Sequence, residues 1–408
     1  MSDWDTILCG CTMGLRFMTY SPSFGSRKRK RAMSGETDRA EEQTWRRRAS
    51  CSAPRPAEAP TNSTLRVGIA QRRAPRHPPS NLLRSTMQTN VKQVLVTGGS
   101  GFIGRAIVKR LQMEPLFSPR ASCRRDVSDV SPGVETVRLS DASSGDDIRE
   151  AMGGCSAVVH TAGLAHRPRR TPLSDFRRVN VGWTRRLMEG AIAVGVERFV
   201  FLSSAGVYGK YSCPGVSFRL SDAPKPTEAY AISKLEAEER LWLMAAESGV
   251  AVTVIRPALV YGAEAPGNLR RLAALIRAGI PLPLARVANR RSFIALDSLV
   301  DLIVRCLVSS AATGRTFLAS DGLDISTPQF VRAFAGVLGR RAILFPVPAA
   351  ILELSMRAFG LGHAATQLCR SFQLDISETE EVLDWQPMSL PRAILGSEIA
   401  AGDNPGPS

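Results

Sequence analysis

The sequence predicts an α/β protein: a doubly wound parallel sheet with a smaller C-terminal substrate-binding domain. Three observations support this reading. From about residue 92, short β-branched runs alternate with helical stretches, the pattern of a parallel sheet covered on both faces. The first run ends in a glycine-rich turn that opens a helix, as dinucleotide-binding sheets do. After Pro257 the alternation loosens into Gly, Pro and Arg with scattered helices, which suits a second unit over the C-terminal edge of the sheet.

In order, Val94-Leu95-Val96 is the first strand, passing into Thr97-Gly98-Gly99-Ser100-Gly101-Phe102-Ile103-Gly104 and the helical stretch Arg105 to Gln112. The second strand, near Phe117 to Arg124, is weakly marked because Pro115 and Pro119 flank it. Val134 to Leu139 is a clearer third strand, and Ala157-Val158-Val159-His160-Thr161 a buried-type fourth. Asp175 to Val194 reads as a helix and Phe199 to Ser203 as the fifth strand. Glu228 to Glu247 is another helix, with Leu235, Leu241, Leu243 and Met244 among its apolar positions. Val252 to Ile255 is the sixth strand, stopped by Arg256-Pro257, and further helices are expected near 269–278, 297–309 and 328–338. No internal repeat is visible.

The 408 residues leave room for about two domains. With 44% hydrophobic and 22% charged residues the chain is neither wholly disordered nor fibrous. Its eight Cys form no CxxC pair, and its four His form no HExxH. These absences argue against a zinc ribbon, a disulfide scaffold or a metalloprotease, and the thiols are expected to be reduced in the cytoplasm. No metal site is expected. No stretch reaches 18 apolar residues without charge, so no transmembrane helix is expected either. Phe345 to Gly360, the most apolar late segment, is interrupted by Pro346, Pro348, Glu353 and Arg357.

Basic charge is concentrated at the start. Residues 1–86 hold 16 Lys+Arg against 7 Asp+Glu, including Arg27-Lys28-Arg29-Lys30-Arg31 and Arg46-Arg47-Arg48. Rich in Ser, Pro and Arg and without an apolar period, this leader is expected to be disordered. It reads as a dispensable segment, with a start assigned upstream of Met87, or as a targeting segment. The expected divisions are the leader 1–86, a dinucleotide-binding domain 87–256, a mainly substrate-binding domain 257–395 and a loose tail 396–408.

Two motifs carry chemistry. Gly98, Gly101 and Gly104 recur at three-residue spacing between strand and helix. Bare glycines let backbone N–H groups approach a diphosphate, and the helix N-terminus adds unpaired donors. Tyr230 and Lys234 stand four apart, on one face of a helix. A phenol is a poor base at neutral pH, and a neighbouring cation favours its ionised form. Such a pair moves a proton on or off a sugar or alcohol hydroxyl while hydride leaves or joins the carbon. With 5 Tyr and 7 Lys in the chain, chance predicts about 0.09 such pairs. Ser203-Ser204 end the fifth strand, where a hydroxyl can hold a reacting oxygen, and Asp141 follows the third strand, where its carboxylate can accept from an adenine amino group.

In combination and order these elements, over about residues 91–390, resemble the extended short-chain dehydrogenase/reductases, specifically the NAD(P)-dependent nucleotide-sugar epimerase/dehydratase family. TGGSGFIG matches the TGxxGxxG loop, FVFLSSAGVYG the segment carrying the catalytic Ser or Thr, and YAISK the YxxxK motif. The resemblance implies a Rossmann-type domain, with Ser204, Tyr230 and Lys234 catalytic. It implies that Gly98, Gly101, Phe102, Ile103, Gly104, Asp141, Tyr230 and Lys234 contact the cofactor, and that Asn180, Asn268 and Arg291 serve the substrate. IRPALVYG, NRRSFIALDSLVDLI and TGRTFLASDG are most similar to a branch of UDP-hexose 4-epimerases and 4-keto-hexosamine reductases of polysaccharide synthesis. Two departures stand out. Asn180 is followed by Val181-Gly182-Trp183-Thr184 instead of the usual Asn-x-x-Gly-Thr, and Arg124-Arg125 lie where an Asp would hold a ribose 2′-OH. Arginine accommodates a 2′-phosphate, so the cofactor reading is NAD or NADP.

The implied activity is hydride exchange at C4 of a UDP-linked hexose or N-acetylhexosamine, first as a UDP-sugar 4-epimerase, alternatively as a 4-keto-sugar reductase. Ala205-Gly206 stand where 4,6-dehydratases carry an Asp-Glu pair. A non-catalytic dinucleotide sensor is the reading from another class, disfavoured because Tyr230 and Lys234 are both present. The expected partner is a UDP-sugar and not nucleic acid; a homodimer is implied by the family.

Overall fold

The computed structural model describes residues 91–124, 130–165, 171–213, 215–262 and 264–388. The leader 1–86, Arg125 and the tail 396–408 lie outside the described residues. The main sheet is built from β1 (Lys92–Thr97), β2 (Phe117–Cys123), β3 (Glu135–Arg138), β4 (Cys155–His160), β5 (Arg198–Leu202), β7 (Ala251–Pro257) and β10 (Arg315–Ala319). All are parallel, in the spatial order β10-β7-β5-β4-β1-β2-β3. Val158, Val159, Phe199 and Phe201 in its middle are essentially inaccessible, which explains why these strands read as apolar runs.

One helical layer contains α1 (Phe102–Gln112) and α7 (Leu296–Val308), sharing a core of Ile107, Val108, Leu111, Leu302 and Ile303 with strand residues. The other contains α2 (Gly145–Met152), α4 (Trp183–Val194) and α5 (Ala229–Ser248), packed through Ile148, Met152, Leu187, Met188 and Leu241. A short α3 (Leu173–Phe176) runs into α4 through a π turn, Arg177–Gly182. The expected helix from Asp175 to Val194 is therefore present, with one widened turn that carries Asn180.

Chain beyond residue 257 serves both the main sheet and a smaller unit. α7 and β10 return to the main sheet, while β8 (Leu259–Tyr261), β9 (Arg291–Ala295) and β11 (Asp324–Ile325) form a small sheet of their own. A short pair joins β6 (Ser217–Phe218) to β12 (Gln373–Leu374). Around the small sheet pack α6 (Asn268–Arg277), α8 (Thr327–Val337), α9 (Ala349–Ala358) and α10 (Gly362–Cys369), over a core in which the rings of Phe293 and Phe330 stack at 4.0 Å. The last described helix is α11 (Ser377–Leu383).

Three differences from the sequence reading have local causes. β2 contains Pro119, tolerated because β3 begins only beside Arg120 and leaves that edge open. β7 continues through Arg256-Pro257, since β5 ends opposite Ile255 and only β10 pairs there. β10 and α9 to α11 were not anticipated; β10 is five residues long and its burial comes entirely from tertiary packing.

Candidate active site

Strand order reverses between β1 and β4, so the loops leaving these two strands part and open a crevice. The first is the glycine turn. Gly98 has φ +74°, and a Cβ there would lie 3.0 Å from Ala162 Cα and from Thr161 Oγ1. A Cβ on Gly104 would sit 2.1 Å from the Gly98 carbonyl oxygen, so α1 presses directly on the turn. Gly101 caps α1 without a side-chain acceptor, and its carbonyl takes the Arg105 N–H at 2.9 Å. The first-turn N–H groups of α1, those of Phe102 and Ile103 included, are thus not claimed by a capping side chain. The Ile103 side chain packs on the sheet core, and Phe102 packs into the C-terminal core, its ring edge 3.2 Å from where a Gly262 Cβ would stand. The turn is a bare backbone cradle that side chains would fill.

Under the crevice runs a buried polar chain that the sequence reading missed. Thr97 Oγ1 lies 2.6 Å from His160 Nδ1, and His160 Nε2 lies 2.9 Å from Thr184 Oγ1. Thr184 spends its single hydroxyl hydrogen on the Asn180 carbonyl at 2.5 Å. Hence Nε2 must donate to Thr184, and Nδ1 accepts from Thr97. Burial, reinforced by the Lys234 charge, holds His160 well below the usual imidazole range, so it stays neutral. The signal available was a histidine ending an apolar strand.

Asn180, 1% exposed, receives the Leu164 N–H on Oδ1 at 2.6 Å and donates from Nδ2 to the Leu164 carbonyl (3.1 Å) and to Ser233 Oγ (2.9 Å). The structure thus places it beneath the loop after β4, tying that loop to α5. A Cβ on Gly163 in this loop would be 3.2 Å from Asn180 Oδ1 and 3.8 Å from Lys234 Nζ. Asn180, the β4 loop and Lys234 therefore meet at one point.

Tyr230 and Lys234 sit in the first turns of α5. Lys234 is 3% exposed, its Nζ 4.1 Å from the centre of the Phe201 ring, and Tyr230 meets Phe176 edge-on at 6.4 Å. Burial lowers the lysine to about 7, with Glu238 opposing, and raises the phenol to about 12. Desolvation is the cause of the phenol's rise, and the depression expected from the neighbouring cation is not seen in the ligand-free chain. Ser204 Oγ accepts the Gly206 N–H at 3.1 Å and caps the turn Ala205–Tyr208. A Cβ on Gly206 would lie 3.3 Å from Ser204 Oγ and 3.7 Å from Ala231 Cβ, so the serine is beside the Tyr230 turn of α5.

Behind these groups lies a second buried network, also missed. Ser203 Oγ donates to Glu238 Oε1, and Glu238, 1% exposed, is gripped by Arg256 through Nη2 at 2.6 Å and Nε at 3.2 Å. Arg256 Nη1 donates to Tyr208 Oη at 2.6 Å. The hint in the sequence was a Glu four residues after Lys234 and an Arg directly following an apolar strand run.

The remaining expected residues are dispersed. Arg124 is exposed just after β2, and Asp141 pairs with Arg178. Exposed Asn268 opens α6 and donates to Gln367 Oε1 at 3.1 Å. Arg291 donates to the Arg370 carbonyl at 2.9 Å, and burial lowers it to about 10. Asn289 is a packing hub, bonded to Thr327, Leu368 and Arg370. His363 Nδ1 approaches Glu228 Oε1 at 2.7 Å, joining α10 to the residue that precedes α5. Among the described residues no cluster of metal-ligating side chains occurs, and no helix is long and apolar enough to cross a membrane.

Comparison with known proteins locates this geometry. Residues 94–319 match the model of the NAD dependent epimerase/dehydratase family. The chain is 35% identical to a UDP-glucose 4-epimerase of Vibrio cholerae, over 72% of this chain and 91% of that protein. It is 27% identical to the N-acetyl-alpha-D-glucosaminyl-diphospho-ditrans,octacis-undecaprenol 4-epimerase of Escherichia coli O157:H7, over 64% and 77%. Among solved structures, MoeE5 in complex with UDP-glucuronic acid and NAD superposes with a TM-score of 0.61 at 25% identity, covering 76% of this chain and 98% of that one.

Proposed function

The chain belongs to the NAD dependent epimerase/dehydratase family, enzymes of the extended short-chain dehydrogenase/reductase type, and on that premise we propose that it is an NAD-dependent 4-epimerase of a UDP-linked hexose or N-acetylhexosamine. The observation that carries the reading is the convergence of Lys234, Asn180 and the β4 loop beside a glycine turn too tight for side chains. The cradle of Gly98, Gly101 and Gly104 fits a dinucleotide diphosphate, with the α1 N–H groups as donors. Similarity to NAD-bound structures favours NAD over NADP.

Bound NAD supplies the group that takes hydride from the sugar carbon and returns it. The protein's part is proton management. Tyr230 Oη accepts the C4 hydroxyl proton as the carbon is oxidised and gives it back as the carbon is reduced. Held protonated by burial, the phenol needs a cation to become a base. Lys234 supplies it, its own charge supported by Glu238 one turn further along α5. Ser204 holds the C4 oxygen. Asn268 and Arg291 serve the nucleotide diphosphate, where a guanidinium fork suits phosphate oxygens.

The test is incubation of the full chain with UDP-hexoses, UDP-N-acetylhexosamines, their 4-keto derivatives and lipid-diphosphate N-acetylglucosamine, following sugar identity and NADH absorbance. Interconversion of UDP-sugar epimers without net NADH supports the reading. Stoichiometric NADH consumption by a 4-keto sugar would replace it with a reductase. Tyr230→Phe is expected to lose nearly all turnover yet bind dinucleotide; full activity would remove Tyr230 from the mechanism.

A further inference from the structure

The C-terminal unit shows an apolar surface that the candidate active site does not use. α9 buries Leu352 and Met356 on one side. At about 100° per residue, Ile351, Leu354, Ser355 and Ala358 share an arc on another side. There Ile351 is 59% and Leu354 72% exposed, with Phe359, just past the helix, 76% exposed. The segment leading into α9 adds Ile343 and Phe345, 52% and 43% exposed. That segment is held in place by backbone pairing: Phe345 N–H donates to the Leu282 carbonyl at 3.0 Å, and Ala285 N–H to the Phe345 carbonyl at 3.2 Å. Single exposed apolar side chains are ordinary, but five large ones within residues 343–359 mark a contact surface.

The charges along the same stretch are one-sided. Arg340, Arg341 and Arg357 are exposed on the same stretch, and exposed Arg286 follows the residue that pairs with Phe345. The one carboxylate in residues 340–360, Glu353, is taken up by Arg357 at 2.7 Å and Arg370 at 3.1 Å. An apolar stretch flanked in the chain by exposed guanidinium groups, its own carboxylate paired, suits the boundary between acyl chains and anionic headgroups. The side chains enter the hydrocarbon edge while the arginines meet phosphates. A second copy of the chain would bring like charges together across a two-fold contact, and nucleic acid would leave the apolar side chains unburied.

We propose that this face, formed by Ile343, Phe345, Ile351, Leu354 and Phe359 with Arg286, Arg340, Arg341 and Arg357, seats the protein on an anionic lipid bilayer. The seat is linked to the candidate substrate residue Arg291, because Glu353 of α9 grips Arg370, whose carbonyl accepts from Arg291. It stands apart from the proposed chemistry and is tested without turnover.

The experiment is sedimentation of the full-length protein with vesicles of phosphatidylcholine alone and of phosphatidylcholine mixed with phosphatidylglycerol. Binding is expected to the mixed vesicles, reduced but not abolished by high salt. Leu354→Glu combined with Phe359→Glu is expected to weaken it about tenfold or more. Leu243→Glu, at an exposed apolar position on α5, is expected to leave it unchanged, and unchanged thermal melting of both variants confirms that they are folded. Since both variants retain the basic leader, undiminished binding by the 354/359 variant would assign adhesion to charge elsewhere and overturn the proposal. A dimer that falls apart on the same substitutions without lipid would overturn it too, making the face a contact between copies.

Discussion

Replacing Arg256 by methionine tests the buried network behind the candidate catalytic groups. Arg256 is 8% and Glu238 1% exposed, and the pair is joined by N–H···O contacts of 2.6 to 3.2 Å. Removing the guanidinium strands a carboxylate where water scarcely reaches, and breaking such a pair from one side costs about 3–5 kcal/mol. At roughly 2–4 °C per kcal/mol for a domain of this size, the melting temperature should fall by roughly 6–20 °C. Removing both charges, Glu238→Leu with Arg256→Met, abolishes the desolvation penalty together with the attraction. That variant should lose only about 0–2 kcal/mol, mostly from the orphaned Ser203 and Tyr208 hydroxyls. The assay is a double-mutant cycle by chemical denaturation, with turnover measured alongside. Ser203 precedes Ser204, and Tyr208 ends the turn that Ser204 caps, so Arg256→Met should depress kcat more than it raises KM. An Arg256→Met loss below about 1 kcal/mol, or a double variant as damaged as the sum of the singles, would refute the reasoning.

Other outcomes follow from the same geometry. Gly104→Ala places a methyl group 2.1 Å from the Gly98 carbonyl oxygen, so either α1 or the turn must move. Dinucleotide affinity in calorimetric titration should fall by about tenfold or more. Gly182→Ala meets its nearest neighbour at 3.8 Å and should leave affinity unchanged. Lys234 sets a pH signature in the ligand-free protein. Between its folded value of about 7 and the ordinary 10.5 the unfolded chain holds the proton and the folded chain does not, so stability climbs as pH rises through that window. Lys234→Met should flatten the climb in denaturant midpoints. Tyr230 acts oppositely: above pH 10 the unfolded chain ionises while the desolvated phenol of the folded chain, at about 12, does not, and stability falls. Tyr230→Phe should remove that fall.

Much of the candidate site was legible because local spacing encodes it. A glycine at 98, 101 and 104 is required wherever backbone must pass within about 3 Å of other backbone, and a strand before it and a helix after it follow from short-range pattern. Tyr230 and Lys234 share a helical face because of the four-residue interval between them. The ordinary alternation of apolar runs likewise indicated β1, β4, β5 and β7. What local pattern does not contain is the partner brought from far along the chain. His160 becomes a neutral link only because β4 lies beside β1 and under Thr184. Glu238 and Arg256 are ordinary charges until the sheet buries them together, and β10 is a strand because β7 is there to pair with it. The phenol's value illustrates the same division. The sequence supplies a cation four residues from Tyr230, but the extent of desolvation depends on everything packed around the ring, and in the folded chain that desolvation raises the phenol.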